Sequence, residues 1–101
     1  MDKNDFSITL NGSKVTFDAV FIGIHGTPGE DGRLQGYFEM LGIPFTSCGM
    51  VTSALTFNKS YCNKVVDALQ VVNVSRSVHI FREQTYQTAE ILAQLRLPVF
   101  V

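Results

Sequence analysis

Apolar and polar residues alternate at the start of the chain, and the alternation then gives way to a short continuous apolar run. The alternating apolar positions are Phe6, Ile8, Leu10, Val15 and Phe17. Asn11-Gly12 divides this pattern, and both residues accept the positive φ of a tight hairpin turn. The continuous run Ala19–Ile24 is typical of a strand that is covered on both faces. The pattern therefore predicts a β-hairpin followed by a buried strand.

Three later stretches repeat apolar residues at the spacing of an amphipathic helix. They are Leu34, Tyr37, Phe38 and Leu41, then Val51, Ala54 and Leu55, then Cys62, Val65, Val66 and Leu69. Gly42 is placed to end the first helix. A last helix is predicted up to Arg96, with Thr85 as its cap.

Short extended segments separate these helices. Ile43–Phe45 forms one of them, Ser77–Arg82 is predicted to be a strand, and Leu97–Val101 has the pattern of the beginning of another. Strands that alternate with helices favour an α/β architecture in which the helices pack on a sheet.

Composition narrows the class of protein further. The 101 residues are 46% hydrophobic and 17% charged, which is typical of a folded domain and not of a disordered tail. The net charge of −1 and the pI near 6.0 give no basic patch for nucleic acid or for an anionic membrane surface. No signal peptide is visible and no apolar run could span a bilayer, so a cytoplasmic protein is expected.

The cysteines and histidines do not form a metal-binding pattern. Cys48 and Cys62 are too few for a disulfide framework, and together with His25 and His79 they lack the closely spaced pairs of a zinc site. We therefore predict no metal site and two buried thiols.

A Gly-rich loop between a strand and a helix is the best candidate for chemistry, because open α/β sheets bind ligands at such places. Here the loop runs from His25 to Gly32, and it is neither a Walker A sequence nor G-x-G-x-x-G. Glu30 and Asp31 can act chemically or simply complement the dipole of the following helix. His25 can contact a ligand or form hydrogen bonds that stabilise the turn.

The order of residues in and after this loop is more specific than their types. His25-Gly26-x-x-Gly29-Glu30-Asp31-Gly32-x-Leu34-Gln35-Gly36 resembles the N-terminal signature of the D-alanine–D-alanine ligases, which belong to the ATP-grasp superfamily. The resemblance continues through a further set of positions, namely Glu39, Gly42 to Thr46, Gly49, Ser53 to Leu55, Asn58, Lys59 and Lys64. It is looser from there to Leu97–Val101.

The resemblance implies an open, mainly parallel sheet with flanking helices (the pre-ATP-grasp domain) over residues 1–57 and the start of an ATP-grasp domain over residues 58–101. The activity implied is the ATP- and magnesium-dependent joining of two D-alanines through a D-alanyl phosphate, for peptidoglycan synthesis. The ligands of magnesium would lie outside this chain. The partners implied are D-alanine and ATP, without nucleic acid or membrane, and the parent enzyme is expected to be a homodimer.

Individual roles follow from the resemblance residue by residue. His25 matches the histidine beside the first D-alanine and the acyl phosphate, and Glu30 matches the acid that holds neighbouring catalytic residues. Gly26 and Gly29, with His25, would bind the substrate, and Lys59 would contact an ATP phosphate.

One departure and two alternatives remain. Asn58 stands where the family commonly has aspartate, although asparagine still caps a helix. Groups essential for ligation would precede Met1 and follow Val101, so we expect the chain alone to be inactive, and its uncovered sheet edges could lead to self-association. The alternative function is a stand-alone, non-catalytic α/β module that binds a small carboxylate or phosphate.

Overall fold

The computed structural model describes residues 1–101 and shows a mixed α/β chain. Its strands are β1 (Ile8–Leu10), β2 (Ser13–Val15), β3 (Val20–Phe21) and β4 (Phe45–Thr46), and its helices are α1 (Arg33–Leu41), α2 (Met50–Phe57), α3 (Lys59–Leu69) and α4 (Thr88–Gln94). The chain divides into two units, residues 1–59 and residues 60–101. The assignment of residues 1–57 and 58–101 to two functional domains stays a prediction.

The first sheet is the hairpin that the sequence predicts. Strands β1 and β2 pair antiparallel, from Ile8 opposite Val15 to Leu10 opposite Ser13. Asn11 and Gly12 form the connection with φ values of 50° and 80°. Two successive positive φ angles suit the right-handed twist of the strands, which is why Asn-Gly is favoured there.

The second sheet is a parallel pair, β3 with β4, and it is smaller than predicted. The expected strand Ala19–Ile24, covered on both faces, is wrong in length and in burial. Only Val20–Phe21 is a strand, and the Phe21 side chain is 82% exposed. Successive side chains in a strand point to opposite faces, and only the face of Val20 is partly covered. The two two-stranded sheets replace the predicted single open sheet within this chain.

The core of the first unit is an aromatic cluster around Phe38, which is only 2% exposed. Its ring meets those of Phe6, Tyr37 and Phe45 at centroid distances of 4.8, 5.2 and 6.1 Å. The cluster thus joins the N-terminal segment, α1 and β4. In addition, the Tyr37 hydroxyl donates a hydrogen bond to the Lys3 carbonyl oxygen at 2.7 Å.

The three helices predicted from apolar spacing are confirmed as α1, α2 and α3. Helix α1 ends at Gly42 as expected, where the Gly42 N–H donates to the Glu39 carbonyl oxygen at 3.1 Å and the Ile43 N–H to that of Phe38 at 3.0 Å. These bonds satisfy carbonyl groups that the last turn of a helix leaves open.

The second unit contains most of α3, a long irregular segment and α4. The strands predicted at Ser77–Arg82 and Leu97–Val101 are wrong. No strand of this chain pairs with either segment, so their backbone N–H and carbonyl groups form no hydrogen bonds of a sheet. The helix predicted from Thr85 to Arg96 is shorter, and Gln87 is its N-terminal boundary residue. None of the helices has the length and apolar character needed to cross a bilayer.

Candidate functional site

The loop from His25 to Gly32 links β3 to α1 and is folded by its own backbone. The Gly26 carbonyl oxygen accepts hydrogen bonds from the N–H groups of Gly29 at 2.8 Å and Glu30 at 2.9 Å. This tight turn reverses the chain, and it places the Glu30 side chain on the same side as the start of the loop.

The Glu30 carboxylate joins the two ends of that turn. Its Oε2 accepts a hydrogen bond from the Gly26 N–H at 2.6 Å, and its Oε1 lies 3.5 Å from His25 Nδ1. The 2.6 Å distance between the Gly26 nitrogen and Glu30 Oε2 is typical of a hydrogen bond to a charged acceptor. The His25 side chain is fully exposed, so its Nε2 is open to the surroundings. The structure therefore brings together His25, Gly26 and Glu30 in one cluster.

Asp31 makes different contacts from its neighbour Glu30, although both acids could complement the dipole of the following helix. Its Oδ1 accepts from the Arg33 N–H at 3.2 Å and its Oδ2 lies 3.3 Å from the Arg33 Nε. Burial by itself would raise the pKa of Asp31, but hydrogen bonds from the Thr27 side chain and the Arg33 backbone, with the Arg33 charge, lower it. Asp31 thus stabilises the start of α1.

The start of α1 offers fewer free N–H groups than the sequence suggests. Neither acid lies in the first turn, because the helix begins at Arg33 after Gly32. The Arg33 N–H is used by Asp31, and the Leu34 N–H donates to the Pro28 carbonyl oxygen at 3.3 Å. The exposed imidazole of His25 is consequently a more accessible group than the helix terminus.

The glycines of the loop serve different physical needs. A Cβ on Gly29 would lie 2.4 Å from the Ile24 carbonyl oxygen, and one on Gly32 would lie 2.7 Å from that of Met50. A Cβ on Gly26 would meet nothing within 4 Å, but this residue has a φ of 70°. Close approach of backbone segments is thus found at Gly29 and Gly32, and a left-handed conformation at Gly26 and at Gly32, whose φ is 88°.

Gln35 supports the loop from α1, a role that its residue type and position along the chain do not predict. It is 1% exposed, and its Nε2 donates to the Gly29 carbonyl oxygen at 2.7 Å and to Ser47 Oγ at 3.2 Å. The available signal was a polar residue three positions before Phe38, next to the apolar stripe of the helix.

Helix α2 packs beside α1 and begins with help from Glu39. Glu39 Oε1 accepts a hydrogen bond from the Met50 N–H at 2.9 Å, at a helix start whose boundary residue Gly49 has no side chain to cap it. A carboxylate at this end of a helix satisfies a free N–H and complements the dipole.

We expect Glu39→Ala to reduce the free energy of unfolding of the chain by about 1 kcal/mol, the usual effect of losing a helix cap. Glu39→Gln keeps an acceptor oxygen without the charge and should lose less. Thermal unfolding followed by circular dichroism at 222 nm measures both variants. Equal stability of Glu39→Ala and the unmodified chain would contradict this role.

The remaining candidates lie apart from this cluster or differ from expectation. Lys59 is the exposed first residue of α3, and no hydrogen bond or ion pair joins it to the loop. Lys64 is exposed, as expected for a solvated helix face. The prediction of two buried thiols is wrong for Cys48, which is exposed, with its Sγ 3.2 Å from Ser53 Oγ. Cys62 is half-buried.

Two other observations concern possible ligand sites. No group of three or more His, Cys, Asp or Glu side chains is arranged to hold a metal ion. An open cavity of about 800 Å³ lies within the second unit, lined by residues 75–78, 93–96 and 98–100. It contains Arg76 and Arg96 but none of the residues of the His25–Gly32 loop.

Comparison with known proteins places these features in a family context. Residues 2–48 match the family model described as D-ala D-ala ligase N-terminus. The whole chain is 52% identical to a D-alanine–D-alanine ligase of Parabacteroides distasonis and 48% identical to one of Flavobacterium johnsoniae. The alignments cover 30% and 31% of those proteins, so the chain spans about a third of the length of these relatives.

Solved structures give the same result. The chain is similar to D-alanyl-alanine synthetase A of Vibrio cholerae, with a TM-score of 0.62 and 37% identity over 72% of this chain and 22% of that one. It is also similar to D-alanine-D-alanine ligase of Aeromonas hydrophila, with a TM-score of 0.67 and 25% identity over 91% of this chain and 34% of that one. The predicted resemblance is therefore confirmed: the whole chain is similar to about a third of the D-alanine–D-alanine ligases that it matches, and residues 2–48 match the model of their N-terminus.

Proposed function

We propose that this chain works as part of an ATP-dependent ligase that joins two D-alanines into D-alanyl-D-alanine for peptidoglycan synthesis in the cytoplasm. The observation that carries the proposal is the cluster of His25, Gly26 and Glu30, in which the family signature forms one connected arrangement. Similarity over the whole chain to proteins named as ligases supports this reading over a stand-alone binding module.

The loop supplies the binding and orientation of the first D-alanine. Glu30 holds the Nδ1 side of the His25 imidazole, which leaves Nε2 to meet the substrate carboxylate or the acyl phosphate formed from it. A fixed hydrogen-bond donor at a centre of growing negative charge stabilises the transition state. The Gly26 N–H already bonds Glu30, so Gly26 acts by shaping the loop while Gly29 allows it to approach Ile24.

The proposed nucleotide contact is separate from this loop. Lys59 has an exposed ammonium group that makes no ion pair, and a compact cation of this kind suits an ATP phosphate. ATP with magnesium would supply the phosphoryl group that activates the D-alanine carboxylate. As the family resemblance implies, we propose that the magnesium ligands lie elsewhere in the parent enzyme.

The larger architecture follows from the same proposal. In the parent enzyme, β3 and β4 would belong to a wider parallel sheet, and residues 58–101 would begin the ATP-grasp domain. Such a sheet would cover Phe21, which is exposed here. We further propose that the parent enzyme is a homodimer.

A chimeric ligase tests the function directly. Residues 1–101 would replace the aligned segment of the Parabacteroides distasonis ligase, and D-alanine-dependent release of ADP would be measured. We expect the chimera to be active, and His25→Ala to lower kcat/KM for D-alanine by about 100-fold, as for loss of a donor at a developing charge. The chain alone should release no ADP.

The other histidine of the chain provides the matched control. His79 lies in the second unit with its ring against Phe81, at a centroid distance of 4.4 Å, and His79→Ala should leave the activity of the chimera unchanged. A folded chimera without activity would contradict the proposed function. Full activity in His25→Ala would contradict the role of the loop.

A further inference from the structure

We propose that Gln35 is a positioning residue of the ligase, which acts by holding the His25–Gly32 loop in the shape that brings Glu30 to His25. This inference rests on the proposed function and adds to it a residue outside the loop. Gln35 does not touch the loop's reactive groups, and its influence would pass through the backbone at Gly29.

The contacts of Gln35 span two loops. One amide hydrogen goes to the Gly29 carbonyl oxygen at 2.7 Å, and the other to Ser47 Oγ at 3.2 Å. Ser47 Oγ in turn donates to the Cys48 carbonyl oxygen at 3.1 Å, so it is an acceptor for Gln35. A single amide group therefore ties the turn before α1 to the turn before α2.

Each further step to His25 is a described contact. The Gly29 N–H donates to the Gly26 carbonyl oxygen at 2.8 Å, and the Gly26 N–H donates to Glu30 Oε2 at 2.6 Å. Glu30 Oε1 then lies 3.5 Å from His25 Nδ1. A shift of the Gly29 carbonyl would move this whole series, and small misplacements of catalytic groups reduce rates strongly.

The unused oxygen of Gln35 argues against a role in packing alone. Gln35 Oε1 is buried and has no hydrogen-bond partner. Burying an acceptor without a partner is unfavourable, and methionine would fill a similar volume without such an acceptor. Methionine would, however, leave the Gly29 carbonyl oxygen without its Gln35 donor. What glutamine supplies and methionine lacks is the pair of N–H donors. Local rules are typically broken in this way at functional sites.

Gln35→Met in the chimeric ligase tests the proposal. We expect the melting temperature to change by no more than about 2 °C and kcat/KM for D-alanine to fall by about 10- to 30-fold, with the KM for ATP within about twofold of the parent value. In the His25→Ala background the same change should have little further effect, because both act through one group. Gln70→Met, which removes a similar bond to the Asp67 carbonyl oxygen, is the control and should be neutral.

A second measurement covers the case in which Gln35→Met does not fold or the parent chimera is inactive. Ser47→Ala changes an exposed residue and removes one Gln35 bond. In the proton NMR spectrum of the 101-residue chain with Ser47→Ala, the Gly26 amide signal should be shifted and its hydrogen should exchange faster with water. The amide signals of β1 and β2 should stay unchanged. An unchanged Gly26 amide then overturns the role of Gln35.

The kinetic outcomes separate the two proposals. The role of Gln35 would be overturned if folded Gln35→Met had the activity of the parent chimera. It would also be overturned if Gln35→Met lowered kcat/KM equally for D-alanine and for ATP and its effect added to that of His25→Ala. Either result would leave the proposed function standing. An inactive parent chimera would overturn the proposed function, and the Gly26 amide would then decide the role of Gln35 in the loop.

Discussion

Phe38→Ala is expected to destabilise residues 1–59 by about 3–5 kcal/mol, the range measured for large-to-alanine changes in cores. Phe38 is the one apolar residue of the chain that is fully buried, and its ring contacts aromatic rings from the N-terminal segment, α1 and β4. Removing it leaves a cavity between all three. A unit of this size with one fully buried apolar side chain has no other core to replace the lost contacts, so a large fraction of the molecules should unfold.

Denaturant unfolding of the 101-residue chain, followed by circular dichroism at 222 nm, measures this effect. Met40→Ala is the matched control, because Met40 lies on the same helix and is 82% exposed. Its change should stay within about 0.5 kcal/mol, as for most surface positions. Similar losses for the two variants would show that the aromatic cluster does not stabilise this unit.

Gly29→Ala is expected to lower the ligase activity of the chimera by at least about 100-fold, in addition to destabilising the loop by about 1–3 kcal/mol. The added methyl group would lie 2.4 Å from the Ile24 carbonyl oxygen and 2.7 Å from the Ile24 Cβ. Backbone and a branching carbon cannot rotate away, so the loop itself must move. Glu30 is the next residue, and its contacts with Gly26 and His25 would move with it.

Gly23→Ala is the control for Gly29→Ala, because it adds the same methyl group to a nearby glycine without crowding the backbone. A Cβ there would lie 2.9 Å from a carbon of the Phe21 ring, which is exposed and can rotate. Its activity should stay within about threefold of the parent, since loop geometry is untouched. The predicted effect of Gly29→Ala would be disproved if both variants were equally active and equally stable.

Local sequence signals predicted the elements that depend on few neighbours. Asn11-Gly12 determined the hairpin turn, because both residues tolerate positive φ. The apolar spacing around Phe38 and around Val66 located α1 and α3, since one face of each helix carries the apolar residues. Gly42 ended α1 for the same local reason.

Elements that need a distant partner were predicted poorly. Ser77–Arg82 and Leu97–Val101 carry strand-forming residues, but a strand requires a neighbour for its backbone groups and no strand of this chain supplies one. The apolar run Ala19–Ile24 predicts a strand buried on both faces, whereas a strand with one paired neighbour leaves Phe21 exposed.

The candidate site shows the same division between local and distant information. Residue order, through the family resemblance, selected His25, Gly26, Gly29 and Glu30 as predicted site residues. Residue type alone does not separate Glu30 from Asp31, because their contacts depend on how the turn at Gly26 directs each side chain. Gln35 was not recognised as functional, because a polar residue on a helix is usually exposed. Its partners, Gly29 and Ser47, lie 6 and 12 residues away.

The bond between Glu39 and the Met50 N–H has a consequence for folding. Helix α2 has no side chain of its own at its start, so the acceptor for its first turn is carried by α1. Neither helix can then unwind alone without leaving a charged group or a helix N–H without its partner. Residues 33–57 should therefore open and close as a single cooperative segment, with Glu39 coupling the fraying of one helix to that of the other.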